Sequence, residues 1–259
     1  NKIKKLKKLN FKNKEKKKFF LKLKKKINKD KYKIEKLISA EVGVSFKDSC
    51  YEVERTLKCV NMSAKLINII DKNYHNKFLI KEKNEAKINI IEESMKLLFA
   101  ITPFNLPLVL AAHKIFPAII ADVPLILKPS EKTPLSSINL IKILNQCGLK
   151  KNFVKIVITK NPKMISKHII NNKNLDCLSF TGSSKVGLIL QKELINSGNS
   201  LKKFIPELGG CSSLIVCHDA DLNLATKLVI DGCFKYSGQR CTSVRRVIVE
   251  NNIADKFIF

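Results

Sequence analysis

Cys177-Leu178-Ser179-Phe180-Thr181-Gly182-Ser183-Ser184-Lys185-Val186-Gly187 begins as an apolar run and ends in a glycine-containing turn. The apolar run predicts a buried strand, and the pattern after the turn predicts a helix through Leu194. A turn at the start of a helix points backbone N–H groups outward, which suits a bound anionic phosphate. The stretch lacks the Gly-x-Gly-x-x-Gly fingerprint, so alone it is a weak signal of nucleotide binding.

Strand and helix patterns alternate along the rest of the chain. Apolar runs predict further strands at residues 97–102, 124–127, 154–158, 211–217 and 247–249. Helical spacing predicts helices at residues 57–70, 135–146 and 164–170, and one from 219 to about 234 with acidic residues in its first turn. Two shorter runs, 78–80 and 88–91, can pair as an antiparallel hairpin.

Pro103-Phe104-Asn105 directly follows the predicted strand at 97–102. Open α/β sheets bind ligands at the carboxyl ends of their strands, so these side chains are expected at a ligand-binding edge. The amide N–H of Asn105 can stabilise an oxyanion. Alternatively, Asn105 caps the helix that follows.

Tyr236-Ser237-Gly238-Gln239-Arg240-Cys241-Thr242-Ser243 places a cysteine between an apolar helical segment and a strand-like run. A cysteine in such a loop, flanked by glycine, arginine and hydroxyl residues, is typical of an exposed thiol nucleophile. Nearby arginines, Arg240, Arg245 and Arg246, are candidates to lower the pKa of the thiol. Alternatively, Cys241 is a small core residue, since cysteine is often buried.

Two further stretches carry polar side chains next to predicted strands. In Pro206-Glu207-Leu208-Gly209-Gly210, the carboxylate of Glu207 can act as a general base near an active thiol, and the glycines allow close approach of a ligand. In the loop after residues 124–127, Lys128 can donate hydrogen bonds and Glu131 can accept them, which suits hydroxyl groups of a ligand. Surface ion pairs are the alternative for both stretches.

These motifs, in this order and at this spacing, closely resemble the NAD(P)-dependent aldehyde dehydrogenase superfamily. The resemblance runs from about Glu41 to the end of the chain, and the Phe-Thr-Gly-Ser and Gly-Gln-Arg-Cys stretches are among its most specific parts. It implies an α/β fold: a Rossmann-like parallel sheet flanked by helices, with the start of a second α/β catalytic domain. The implied activity is oxidation of an aldehyde to a carboxylic acid with NAD or NADP.

The resemblance also implies a role for each candidate residue. Cys241 corresponds to the nucleophile, Asn105 to the oxyanion donor and Glu207 to the general base. Lys128 and Glu131 match residues that bind the adenosine ribose of the cofactor. The full set of expected cofactor-binding residues is Lys128, Ser130, Glu131, Thr181, Gly182, Ser183, Leu208 and Gly209.

The expected organisation has three parts. Residues 1–36 form a basic N-terminal helical segment, residues 37–207 the NAD(P)-binding domain with a hairpin near 78–91, and residues 208–259 the beginning of the catalytic domain. The lysine-rich N-terminal segment can be a membrane-surface helix, a solvated helix or a frayed terminus. Asp122 replaces a glycine usual in the family, which predicts strain in a turn with positive φ.

Composition narrows the class of protein. Lys and Arg number 49 against 22 Asp and Glu, a net charge of +27, but nearly all the cations are lysine. Since arginine is the usual reader of bases and phosphates, a compositional bias is favoured over dedicated nucleic-acid binding. Eight cysteines without a Cys-x-x-Cys pair argue against a metal site and indicate a reduced, cytoplasmic protein. Neither a secretory signal nor a transmembrane segment is predicted.

Family members extend well beyond the position of the nucleophile, whereas this chain ends at Phe259. The expected later Glu-x-Phe motif, which contacts the cofactor's nicotinamide ribose, is not in the sequence. We therefore expect a truncated member, homo-oligomeric if complete. A catalytically incompetent remnant that keeps a dinucleotide-binding fold, or a basic binding module built on it, is the alternative. The identity of the aldehyde and the choice between NAD and NADP cannot be read from the sequence.

Overall fold

The computed structural model describes residues 6–73, 80–81, 87–88, 94–198 and 202–258. Three helices come first: α1 (Asn13–Lys29), α2 (Lys31–Val42) and α3 (Phe46–Asn73). Two short strands, β1 (Ile80–Lys81) and β2 (Lys87–Ile88), then pair in antiparallel register. This pair confirms the predicted hairpin for those four residues, and the rest of the 78–91 segment lies outside the described residues.

A five-stranded parallel sheet forms the centre of the protein. Its strands are β3 (Leu98–Ile101), β4 (Leu125–Lys128), β5 (Val154–Ile156), β6 (Cys177–Thr181) and β7 (Lys203–Glu207). The spatial order is β5-β4-β3-β6-β7, so the chain fills one side of β3 first and then crosses to the other side. The strand order thus reverses between β3 and β6, and the predicted Rossmann-like α/β fold is confirmed. In such sheets the crevice at this reversal is the usual ligand position.

Helices cover both faces of this sheet. They are α4 (Pro107–Ile120), α5 (Pro134–Gln146), α6 (Pro162–Ile170) and α7 (Ser184–Asn196). Side chains of β4 alternate between two cores: Leu125 and Leu127 pack with α1 to α5, whereas Ile126 packs with α6 and α7. This alternation follows from the period of two in a strand, and it buries every residue of β4.

The N-terminal helices belong to the larger core. The side chains of Phe19, Phe20, Leu23 and Ile27 are buried on one face of α1, and the lysines lie mainly on the other. The Phe20 ring meets the Phe116 ring of α4 edge to face at 5.7 Å. Of the alternatives for this segment, a frayed terminus is therefore wrong for residues 13–29, because the apolar face of the helix packs against the domain.

Asp122 has the positive φ that the sequence analysis anticipated, at 55°. Its carboxylate accepts hydrogen bonds from the backbone N–H groups of Leu9 at 2.6 Å and Asn10 at 3.0 Å. A glycine could adopt this backbone conformation with less strain, but it could not anchor the N-terminal segment in this way.

A second, smaller sheet follows β7. Its strands β8 (Ser212–Val216) and β9 (Val244–Val249) run parallel and are connected by α8 (Leu222–Phe234). Asp221 is the N-cap of α8, and its carboxylate accepts hydrogen bonds from two backbone N–H groups. The sequence predicted acidic residues within the first turn of this helix, whereas Asp221 lies just before that turn. A short helix, α9 (Ala254–Ile258), ends the described chain. In the described residues, no helix is both long and apolar enough to cross a membrane.

Candidate active site

Asn105 lies just beyond the carboxyl end of β3 and contacts the loop that carries Cys241. Its Nδ2 donates a hydrogen bond to the backbone carbonyl of Gln239 at 2.5 Å. The N-cap of α4 is Leu106 and Pro107 opens the helix, so the alternative role of Asn105 as a helix cap is wrong. Gln239 precedes the candidate nucleophile Cys241 by two residues. The fold therefore brings the amide of Asn105 to the cysteine loop.

The start of α4 is held by a buried carboxylate on α3. Glu52 Oε1 accepts hydrogen bonds from the backbone N–H groups of Leu108 at 2.8 Å and Val109 at 3.0 Å. Burial raises the pKa of Glu52 to about 7, although those two hydrogen bonds oppose the shift. Phe104 is fixed from the other side, because Thr133 Oγ1 donates to its carbonyl at 3.0 Å.

Residues 236–238, which lead into Cys241, have an unusual backbone. Tyr236, Ser237 and Gly238 have φ values of 58°, 53° and 67°. At Gly238 a Cβ would lie 2.9 Å from the carbonyl oxygen of Cys233, so glycine is needed there for space as well as for φ. The positive φ values of Tyr236 and Ser237 are uncommon for residues with a side chain.

Contacts on both sides hold this loop. The Tyr236 side chain is buried, and its hydroxyl donates to the carbonyl of Asp48 on α3 at 2.5 Å. Arg240 Nη2 donates to the carbonyls of Asp231 at 3.1 Å and Gly232 at 3.0 Å, near the end of α8. Cys241 itself is exposed, so the alternative of a core cysteine is wrong.

Glu207 is the last residue of β7 and lies opposite Thr181 of β6. Its carbonyl accepts a hydrogen bond from the N–H of Gly182 at 3.0 Å, and its side chain is exposed. Three residues later, a Cβ at Gly210 would lie 3.6 Å from the carbonyl oxygen of Cys241. The 207–210 segment and the cysteine turn are therefore neighbours.

Lys114 is a residue that the sequence analysis did not single out as functional. It lies on α4 with its side chain buried, and burial lowers its pKa while the negative charge of Glu207 opposes the shift. The available signal was a lysine inside the largely apolar run at residues 106–127.

The expected ribose-binding residues lie on the loop after β4. Lys128 Nζ is buried and lies 3.4 Å from Glu131 Oε2 and 3.3 Å from the carbonyl of Pro129. A backbone hydrogen bond, and then the charge of Lys128, lower the pKa of Glu131. Ser130 Oγ accepts from the N–H of Lys132 at 3.2 Å, which leaves its own hydroxyl hydrogen for another partner.

The predicted phosphate-binding turn lies at the neighbouring strand end. Ser183 is the N-cap of α7, and Thr181 is the last residue of β6. Leu208 extends over the first turn of α7, because a Cβ at Gly187 would lie 2.7 Å from Leu208 Cδ2. A Cβ at Gly209 would meet no protein atom within 4 Å, so open space remains beside this segment.

Three candidate groups thus lie at adjoining ends of the central strands: Asn105 after β3, the turn at residues 181–183 after β6, and Glu207 at the end of β7. The Lys128 loop follows β4, next to β3. The described residues contain no group of three or more His, Cys, Asp or Glu side chains that could hold a metal ion.

Comparison with known proteins agrees with this geometry. The sequence profile of the Aldehyde dehydrogenase family matches residues 3–259. A lactaldehyde dehydrogenase of Methanocaldococcus jannaschii is 37% identical over 248 residues, which cover 90% of this chain and 49% of that protein. The chain thus spans about half the length of the curated relatives it matches.

Solved structures show the same likeness. The glyceraldehyde-3-phosphate dehydrogenase GapN of Methanocaldococcus jannaschii, complexed with NADP, superposes with a TM-score of 0.84 at 33% identity, over 96% of this chain and 53% of that one. The betaine aldehyde dehydrogenase of Staphylococcus aureus in complex with NAD+ gives a TM-score of 0.86 at 26% identity, over 95% of this chain and 47% of that one.

Proposed function

This chain belongs to the aldehyde dehydrogenase family, and from that membership we propose that it takes part in the oxidation of an aldehyde to a carboxylic acid with NAD or NADP. The observation that carries the proposal is the hydrogen bond from Asn105 Nδ2 to the carbonyl of Gln239. It joins the end of the central strand β3 to the turn of Cys241, residues 134 positions apart. This bond supports a site that combines the thiol of Cys241 with the amide of Asn105.

In the proposed reaction the Cys241 thiolate attacks the aldehyde carbon and forms a C–S bond. The carbonyl oxygen becomes an oxyanion that accepts hydrogen bonds from the second Nδ2 hydrogen of Asn105 and the backbone N–H of Cys241. Loss of the aldehyde hydrogen as hydride leaves a thioester on the cysteine. Glu207 then takes a proton from water, the hydroxide attacks the thioester, and the C–S bond breaks to release the acid and the thiolate.

Lys114 is proposed as an electrostatic partner of Glu207. Burial makes the charged form of this lysine costly, whereas a nearby carboxylate favours it. The carboxylate of Glu207 therefore helps Lys114 to keep its positive charge in a buried position.

The residues present fit a dinucleotide. NAD or NADP would supply the hydride acceptor. Lys128, Ser130 and Glu131 offer donors and acceptors for ribose hydroxyls, and the backbone at Thr181, Gly182 and Ser183 opens α7 towards an anionic pyrophosphate. Leu208 adds an apolar contact, and Gly209 leaves the adjoining space open. No residue of this set separates NAD from NADP.

Two broader proposals accompany the activity. All eight cysteines are free in the structure, which supports a reducing compartment and hence a cytoplasmic location. We also propose a small aldehyde substrate and assembly into a homo-oligomer. Residues 208–259 are proposed as the beginning of a catalytic domain, after a basic helical segment at 1–36 and a cofactor domain at 37–207.

A second candidate function is dinucleotide binding without turnover. It is the outcome expected if the turn at residues 181–183 binds the cofactor while Cys241 stays unreactive.

Alkylation of the cysteines by iodoacetamide, followed peptide by peptide with mass spectrometry, tests the proposal. We expect Cys241 to react faster than Cys211 and Cys217, which are also exposed, and NAD or NADP to slow its reaction. In Cys241→Ser the cofactor-sensitive signal should vanish, whereas the control Cys211→Ser should keep it. Cofactor binding without selective Cys241 reactivity would instead support the second candidate.

A further inference from the structure

Helix α5 is not capped by its own N-cap residue. Thr133 occupies that position, yet within the described part of the chain its side chain makes no hydrogen bond to the first turn. Pro134 has no N–H, so the backbone donors that need a partner outside the helix belong to Leu135 and Ser136. A threonine N-cap usually accepts a hydrogen bond from one of these two donors.

Glu41, near the end of α2, supplies the cap instead. Its carboxylate accepts hydrogen bonds from the backbone N–H of Leu135, from the backbone N–H of Ser136 at 2.8 Å and from Ser136 Oγ at 2.5 Å. A negative charge at this end of a helix is also favoured by the helix dipole. The two donors that Thr133 leaves unbound are thus both satisfied by one carboxylate from another helix.

Helix α4 is capped in a similar way, but with one difference. Its N-cap, Leu106, has no polar side-chain atom, and Glu52 of α3 binds the first turn in its place. The helices that follow β3 and β4 are therefore both capped by carboxylates of the N-terminal helices. In α5, however, the N-cap residue has a hydroxyl of its own, and that hydroxyl has another partner.

The partner of the Thr133 hydroxyl lies in the turn that carries Asn105. The Thr133 side chain is buried, and its Oγ1 donates to the carbonyl of Phe104 at 3.0 Å. A second buried hydroxyl of α5, Ser137 Oγ, donates to the carbonyl of Pro107 at 3.2 Å. Since Phe104 and Pro107 lie on either side of Asn105 in the chain, α5 contacts this turn both before and after the amide donor.

Thr133 also ends the loop that contains the expected ribose-binding residues. Its backbone N–H donates to the carbonyl of Ser130 at 3.4 Å, within the loop at residues 128–133. The strands before this loop and before the turn at residues 103–105, β4 and β3, are neighbours in the central sheet. The loop and the turn therefore meet at Thr133, and a shift of the first turn of α5 would displace both.

We propose that Glu41 is a positioning residue of the candidate active site. By capping α5, it leaves the Thr133 hydroxyl to hold Phe104, and the 128–133 loop and Asn105 are thereby fixed as one unit. Without Glu41, the N–H groups of the first turn would compete for the Thr133 hydroxyl and draw it away from Phe104. The inference rests on the proposed function, because it names a residue that orders two parts of that site.

Amide hydrogen exchange, followed peptide by peptide with mass spectrometry, tests this arrangement. Glu41→Ala should speed exchange about three- to tenfold at residues 102–109 as well as at residues 134–137, because local opening becomes easier when a hydrogen bond is lost. Thr133→Val removes the donor, keeps the shape of the side chain and should speed exchange at 102–109 by a similar factor. If Glu41 acts through this hydroxyl, the double variant should exchange there no faster than Thr133→Val alone.

Glu15→Ala is the matched control, because the Glu15 carboxylate also binds a backbone N–H at a helix start, that of Lys12 at 2.8 Å. Exchange at 102–109 should be unchanged in this variant. Thr133→Ser retains the hydroxyl and should restore slow exchange. Thermal unfolding shows whether each variant is folded, and Glu41→Gln, which keeps an acceptor oxygen, should give a smaller effect of the same kind if Glu41→Ala does not fold. Faster exchange confined to residues 134–137 would overturn the positioning role.

Cofactor binding separates the inference from the proposed function. Calorimetry should show that Glu41→Ala and Thr133→Val weaken the binding of NAD or NADP about three- to tenfold, since a site depends on the residues that hold it in place. Glu15→Ala should keep the wild-type affinity. Wild-type affinity in both site variants would contradict the inference alone. A wild-type protein that binds neither cofactor would contradict the proposed function, and the exchange rates at 102–109 would still decide whether Glu41 holds the turn.

Discussion

The hydroxyl of Tyr236 donates a hydrogen bond to the backbone carbonyl of Asp48, which is 188 positions earlier in the sequence. This contact ties the strained turn before Cys241 to the first turn of α3. Burial, and the nearby charges of Glu52 and Asp48, raise the pKa of Tyr236, so the hydroxyl remains a donor across the physiological range.

Tyr236→Phe should therefore destabilise the protein by about 1 kcal/mol and loosen the cysteine loop. Urea unfolding measures the first effect, and a changed rate of Cys241 alkylation measures the second. Tyr32→Phe is the control, since the Tyr32 side chain is 58% exposed. An unchanged unfolding midpoint together with an unchanged alkylation rate would show that the contact contributes little.

Glu52 should make stability depend on pH. Its pKa is about 7 in the folded protein against an ordinary value of 4.5, so the folded state binds more protons than the unfolded state between these values. Stability should therefore fall as pH rises through this window. In Glu52→Gln that loss should be absent, so the variant gains about 3 kcal/mol on the wild type between pH 4.5 and pH 7.5.

Unfolding in denaturant at several pH values measures this difference. Glu54→Gln is a suitable control, because Glu54 lies on the same helix with its side chain 56% exposed. Parallel pH profiles for Glu52→Gln and the wild type would contradict the assignment of the raised pKa to this carboxyl.

Asp122 offers a comparison of two substitutions at one strained position. Asp122→Ala loses both hydrogen bonds to the N-terminal segment and keeps the positive φ, so it should cost about 2 kcal/mol. Asp122→Gly loses the same bonds but relieves the backbone strain, so it should be about 1 kcal/mol more stable than the alanine variant. Thermal unfolding of the two variants side by side gives the difference directly, and equal midpoints would argue against strain.

Under the proposed function, Asn105→Ala should lower kcat/KM for aldehyde oxidation by about 100- to 1000-fold, because one of the two proposed oxyanion donors is lost. Formation of reduced cofactor, followed by its absorbance, measures this. Selective alkylation of Cys241 should persist, which separates an oxyanion role from a general loss of the fold. Asn68→Ala, at an exposed position of α3, should keep full activity.

Much of the fold could be predicted from the sequence. The strands at 98–101, 125–128 and 177–181 are largely apolar, and buried parallel strands produce that pattern. The N-terminal segment was harder to predict. Its many lysines indicate a solvent-exposed helix, although Phe19 and Phe20 on one narrow face are buried in the core. Asp122 adds to its anchorage, and no local pattern could indicate a contact between residues so far apart.

Some residues of the candidate site could likewise be predicted from the sequence, and others could not. Asn105 and Cys241 could be predicted because each lies in a recognisable motif, whereas their roles remain predictions. Lys114 could not, since its significance comes from burial and from the charge of Glu207 at the end of β7. In the sequence, Lys114 only interrupts an apolar helical pattern. Its interaction with Glu207 becomes visible in the folded structure.

The bonds that shape the cysteine loop join residues 134 and 188 positions apart. Contacts between such distant parts of a chain form slowly, because large loops must close before the contacts can stabilise anything. During folding, Cys241 should therefore remain an ordinary, unprotected thiol until the central sheet and α3 are both in place. The reactivity proposed for this cysteine would then arise only late in folding.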